Sequence, residues 1–296
     1  MSAASDALAL PAQRGPSPLA FALTLAGPLC WSIGPLFVQG IEAEAWTIVF
    51  WRSAIMALFL TAVLLIQHRG GIVAQFRRLG RIGLVAACTT AGAFVFYIPA
   101  LQLAPTANVV VIQGLAPLWA ALFGWLLLGE RVRPATWAAL AIALAGMAAL
   151  VWEGLTLGGG LTGELLALGV SLCFAASIVA FRRGRDLDMA PAMVVAALIS
   201  LVPAVLLGDV ASVAAAAMPA LIVLGVVQLG CGLLAFTRGA GQLPPVQSGL
   251  IGLLETVLAP LWTWLAFAES PGAAALLGGG AIVLALVINT VATARS

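Results

Sequence analysis

The chain has 296 residues, 63% of them hydrophobic and 8% charged, whereas ordinary soluble domains carry about 25% charged residues. With a mean hydropathy of +1.14 and no hydrophilic block long enough for a soluble domain, the composition excludes a water-soluble enzyme and a nucleic-acid-binding protein. The net charge of +2 is uninformative about partners, but the placement of the charges is not. Every basic residue is Arg and none is Lys, a bias that fits the Ala and Gly abundance of a GC-rich genome.

Residues 1–18 form a tail containing Asp6, Pro11, Pro16 and Pro18. It lacks an apolar core of its own and does not read as a cleaved signal. Ten apolar segments follow, each near the roughly 20 residues needed to cross a hydrocarbon core of about 30 Å. They cover 19–38, 45–67, 82–104, 106–128, 135–152, 161–181, 189–208, 219–238, 245–268 and 272–291. Pro219 suits the first turn of the eighth, although Ala214 to Ala217 extend the apolar run upstream. Cys30, Cys88, Cys173 and Cys231 fall inside these spans and act as small hydrophobes. His68 is the single histidine, and CxxC and HExxH spacings are absent, so neither a metal nor a cofactor is expected.

The arginines test the span count, because one missed or invented helix would scatter them over both faces. With the N-terminus inside, the cytoplasmic segments hold Arg14, then Arg69, Arg77, Arg78 and Arg81, then Arg131 and Arg133. Further along they hold Arg182, Arg183 and Arg185, then Arg238 and Arg295. The opposite loops and helix ends carry Glu42, Glu44, Glu153, Glu164, Asp209 and Glu269 and no Arg. Both termini are therefore expected in the cytoplasm. The exception is Arg52, which lies within the second span.

Shifting the chain by 139 residues lays segment 91–146 over 230–285. Pro105 then falls on Pro244, Leu115 on Leu254, Trp125 on Trp264 and Glu130 on Glu269. A looser match sets Leu29-Cys30-Trp31 over Leu172-Cys173-Phe174. Five spans precede the second copy, an odd number, so the expected architecture is an all-α membrane protein of two inverted five-helix repeats, 19–152 and 153–296. Inverted repeats are a physical basis of alternating access, because nearly equivalent halves can exchange conformations around one midplane site. A small-molecule transporter is the function this implies. A membrane-embedded enzyme is the competing class, and a single loop His and a single mid-span carboxylate oppose it.

The run Phe96-Tyr97-Ile98-Pro99-Ala100-Leu101-Gln102-Leu103-Ala104-Pro105, continuing through Leu115-Ala116-Pro117 to Leu128-Gly129-Glu130-Arg131, resembles the EamA repeat of the drug/metabolite transporter superfamily. Leu253-Leu254-Glu255-Thr256-Val257 through Ala268-Glu269 resembles the second copy, with Glu-Thr-Val for the usual Glu-Pro-Val and Ala-Glu for Gly-Glu. The stretch from Pro99 to Trp119 is most similar to bacterial YddG-type exporters of aromatic and neutral amino acids. The resemblance implies export across the bacterial inner membrane, with multidrug or other metabolite efflux as the alternative.

Polar groups at membrane depth are costly and mark functional candidates. Glu255 lies ten residues into the ninth span, where a carboxylate must be hydrated, paired or protonated. It is a ligand for a substrate amino group, a proton carrier or a structural acceptor. Arg52, about 10 Å into the second span at 1.5 Å per residue, is a structural partner or an attractor of a substrate carboxylate. Helical spacing groups Gln247, Ile251, Glu255 and Trp262 on one face, and Asn108, Ile112, Leu115 and Trp119 on the matching face of the fourth span. The expected substrate-binding set is Trp31, Phe94, Tyr97, Asn108, Gln113, Trp119, Phe174, Gln228, Gln247, Glu255 and Trp262. An apolar lining with a few amides suits a small neutral amphiphile such as an amino acid, whereas a phosphate would need several cations. The lipid bilayer is the other expected partner, and nothing in the sequence specifies an oligomeric state.

Overall fold

The computed structural model describes residues 17–38, 41–151, 160–267 and 273–294. The expectations that concern Asp6, Pro11, Arg14, Pro16, Glu153, Glu269 and Arg295 fall outside these residues. Among the described residues every regular element is helical. The first half contains α1 (Pro18–Trp31), α2 (Gly34–Val38), α3 (Ala45–His68), α4 (Ile72–Arg78), α5 (Gly80–Leu103), α6 (Thr106–Gln113), α7 (Ala116–Leu128) and α8 (Pro134–Val151). The second contains α9 (Leu161–Arg183), α10 (Ala190–Leu207), α11 (Met218–Val223), a π-helical segment (Leu224–Cys231), α12 (Gly232–Ala240), α13 (Pro245–Gly252), α14 (Leu254–Phe267) and α15 (Ala273–Ala294).

Eight helical segments among these residues are long and apolar enough to cross a membrane, and two shorter apolar helices, Pro134–Ala149 and Pro245–Ala259, occupy the fifth and ninth expected spans. The helices are apolar around their circumference, the pattern of membrane helices rather than amphipathic ones. Leu58, Ile66, Leu206 and Leu277 accordingly point outward and are exposed in the isolated chain, where lipid tails would solvate them.

Local chemistry sets the helix ends. Ser17 caps α1 by accepting the Ala20 N–H at 3.1 Å, with Pro18 in the first turn. Gly129 takes φ 70° at the end of α7, where a left-handed residue is required, and so turns Glu130 back over the helix. The Glu130 N–H then bonds the Gly124 carbonyl at 3.2 Å.

The packing follows the repeat. α3 packs on α10 and α8 on α15, each pair joining helices that correspond between the halves. The pairing of α5 with α9 is matched by that of α12 with α1. Small residues bring these helices close: a Cβ at Gly239 would collide with Thr24 and the Ala20 carbonyl, and one at Gly146 would lie 2.7 Å from the Gly278 carbonyl. The 139-residue shift also superimposes the interruptions, since α6 starts after Pro105 and α13 after Pro244, and the break after Gln113 matches that after Gly252.

Candidate functional site

Both interruptions face one cavity of about 100 Å³, several times the roughly 10–15 Å³ that one water requires. Gln113, Gly114 and Ala116 line it from the first break, and Gly252, Leu253 and Glu255 from the second. Glu255 thus stands in the first turn of α14, and among the described residues its carboxylate has no hydrogen-bond or ion-pair partner.

Opposite charge enters from α3. Arg52 is 2% exposed and lines the same cavity. One of its terminal nitrogens donates to the Phe94 carbonyl at 2.9 Å, its guanidinium carbon lies 5.8 Å from the Phe94 ring centre, and its Nε has no partner among the described residues. These contacts with α5 make a buried cation tolerable. Tyr97, one turn further along α5, lines the same cavity as Arg52 and Glu255.

The aromatic wall depends on a broken first helix. α1 stops at Trp31, and the Trp31 carbonyl lacks its ordinary donor because position 35 is Pro and has no N–H. Gln228 Nε2 supplies the missing bond at 3.4 Å, reaching across from the π-helical segment, while Gln228 Oε1 has no partner among the described residues. Gly34 leaves room for this amide, since a Cβ there would collide with Nε2. Trp31 meets Phe174 edge-on at 5.7 Å, and Phe236 packs behind both rings at 4.8 Å and 5.8 Å.

Seven of the eleven residues expected from the sequence come together here: Trp31, Phe94, Tyr97, Gln113, Phe174, Gln228 and Glu255. Four lie elsewhere. Asn108 Nδ2 donates to Glu164 Oε1 at 2.7 Å, tying α6 to α9. Trp119 is half-buried in α7 with its Nε1 unpartnered and is not in the cavity wall. Gln247 lines a separate cavity at the arginine-rich end. Trp262 Nε1 donates to Ser32 Oγ at 2.8 Å, bracing the α1 break against α14. The interruptions of the fourth and ninth spans separate Trp119 from Asn108 and Gln247 from Glu255, because a face drawn on a continuous helix does not persist through a break. Trp262 stays on α14 with Glu255, two turns further along. Arg52, Thr90, Ser177 and Thr256 also line the cavity. Small hydroxyl residues are so frequent in membrane helices that they gave no sequence signal.

The Trp262 strut yields a stability prediction. Trp262→Phe removes one hydrogen bond and is expected to destabilise the fold by about 1 kcal/mol. It would be read as a lower Tm in detergent, with transport within threefold of wild type. A tenfold loss of transport at unchanged Tm would instead place Trp262 at the substrate.

Phe181 and Phe236 are fully buried, and Arg182 Nε donates to Glu130 Oε1 at 2.9 Å.

Two helical copies around one central, charge-bearing, aromatic cavity define a multi-pass membrane protein of the transporter class. The EamA-like transporter family model matches residues 18–152 and again 161–291. The chain belongs to that family, and hence to the drug/metabolite transporter superfamily, whose members are transporters rather than enzymes. A solved structure described only as "Crystal structure of protein" superposes with a TM-score of 0.81 at 24% identity, covering 93% of this chain and 98% of its own. That likeness establishes the fold alone. No curated protein matches.

Proposed function

We propose that the protein is an exporter of neutral amino acids, aromatic ones included, from the bacterial cytoplasm by alternating access. The observation that carries this reading is that one buried guanidinium, Arg52, and one carboxylate without a partner among the described residues, Glu255, line the same cavity beside an aromatic wall. A neutral amino acid presents the complementary charges on one small head group, and Trp31 and Phe174 offer its side chain an apolar surface. One cation matches a single carboxylate but is too little for a phosphate ester.

In this reading the chain crosses the inner membrane ten times, with both termini in the cytoplasm and the halves 19–152 and 153–296 inverted. The eight long spans, the two shorter apolar helices and the segregation of Arg support it. Efflux of cationic drugs is the second reading, favoured by the unpartnered Glu255 and opposed by Arg52 in the same cavity.

Flux in proteoliposomes distinguishes them. Wild-type protein is expected to move phenylalanine, tryptophan and leucine down their gradients with saturable kinetics. Saturable flux of quaternary-ammonium dyes without amino-acid flux would transfer the assignment to multidrug efflux.

A further inference from the structure

A second cavity, of about 80 Å³, lies at the arginine-rich end between α7, α8, α13 and α15 and shares no lining residue with the central one. Two amides form part of its wall: Gln247 is 2% exposed and Asn289 1%. Among the described residues, Gln247 Oε1 and Asn289 Nδ2 have no hydrogen-bond partner. Buried polar atoms are nearly always paired, so an unpaired acceptor and an unpaired donor at one cavity point to a polar occupant.

The charges at its rim narrow the chemistry. Arg131 lines the cavity and, among the described residues, has no hydrogen-bonded or ionic side-chain partner, whereas neighbouring Glu130 is already held by Arg182. The first turn of α13 adds backbone N–H groups with no acceptor inside their own helix. Arg131, the Asn289 amide and that turn are all donors, a set that suits a carboxylate. Gln247 Oε1 is an acceptor and suits an ammonium. Ala120 and Gly124 of α7 keep the remaining wall small and apolar.

The cavity also stands in line with the central one. α7 gives Ala116 to the central wall and Ala120 and Gly124 to the second, and α13 gives Gly249 to the central wall and Gln247 to the second. Between the two cavities these helices touch closely, since a Cβ at Gly249 would lie 3.0 Å from Pro117 Cα. A displacement of α7 against α13 would therefore join the two spaces.

We propose that this second cavity is a loading site that takes the zwitterionic head group of the transported amino acid at the arginine-rich end. The proposal rests on amino acids being the cargo. It adds a separate binding step ahead of the central cavity, and it assigns Gln247, Asn289 and Arg131 to that step.

Binding stoichiometry tests it, using purified full-length protein in lipid nanodiscs, where both ends are accessible, and radiolabelled L-phenylalanine and L-alanine as probes. Wild type is expected to bind two per chain at saturation. Asn289→Leu is expected to bind one, the retained central site showing that it is folded. The double variant Arg52→Gln, Glu255→Gln is also expected to bind one, and adding Asn289→Leu should abolish saturable binding. Gln247→Leu should repeat the Asn289→Leu result if either substitution alone perturbs the fold. A wild-type stoichiometry of one, lost in the Arg52/Glu255 variant and untouched by Asn289→Leu and Gln247→Leu, overturns the loading site and leaves amino-acid transport standing. That pattern would mean that ordered water alone occupies the second cavity. Wild type that neither binds nor moves any amino acid in vesicles overturns both readings together.

Discussion

Arg52→Gln is expected to raise the KM for phenylalanine roughly 10- to 150-fold, the range that corresponds to losing one charge-assisted hydrogen bond of about 1.5–3 kcal/mol. Glu255→Gln should do the same, for the opposite end of the substrate. Arg52 could instead matter only as a brace, since it donates to the Phe94 carbonyl and lies against the Phe94 ring. Substrate analogues separate the two roles. If Arg52 holds the carboxylate, Arg52→Gln erases the preference for phenylalanine over phenethylamine, which lacks the carboxylate, and affects phenethylamine itself little. If Glu255 holds the ammonium, Glu255→Gln erases the preference for phenylalanine over phenylpropionate. Equal losses for every analogue would assign both residues to architecture and remove the principal support for a zwitterionic cargo.

Gly34→Ala is the second substitution with a large expected effect. The added methyl would occupy the space of Gln228 Nε2, and that amide is the donor that satisfies the Trp31 carbonyl where Pro35 provides none. Overpacking of this kind costs about 1–3 kcal/mol. Displacing the amide also leaves a buried carbonyl unpaired, at a further cost of about 1–3 kcal/mol. The expected result is a clear fall in Tm together with a loss of transport of at least tenfold, because Trp31 and Gln228 both form the cavity wall. The double variant Gly34→Ala, Gln228→Ala should regain most of the Tm, since the clash disappears with the longer side chain, but not the transport. Wild-type transport in Gly34→Ala would show that the α1 break does not shape the substrate site.

Much of the architecture was legible without coordinates, because the bilayer imposes a length and a polarity that composition records directly. Apolar runs of about 20 residues, arginines confined to alternate links and the 139-residue register each depend on local sequence alone. The register reached further than a span count, since Pro105 and Pro244 mark matching helix starts in the structure. The candidate site was only partly legible. Glu255 and Gln228 stand out in any reading of polar residues at membrane depth, and both reach the cavity.

Gln247 and Trp262 show where sequence reasoning stopped. Gln247 shares a helical face with Glu255 only if the ninth span is one continuous helix, and the turn at Leu253 divides it. Through that break Gln247 lines a different cavity, whereas Trp262, two turns along the same helix as Glu255, braces Ser32. Arg52 shows the converse, since its depth in the second span was evident while its neighbours were not. Phe94 is 42 residues away in sequence, and no local pattern encodes that contact. The sequence by itself determined a multi-pass helical membrane protein built twice from one repeat, because hydrophobicity, charge placement and duplication are properties of the chain. The tertiary structure alone decided which few polar groups share a cavity, because that depends on helix breaks and on packing between segments far apart in the chain.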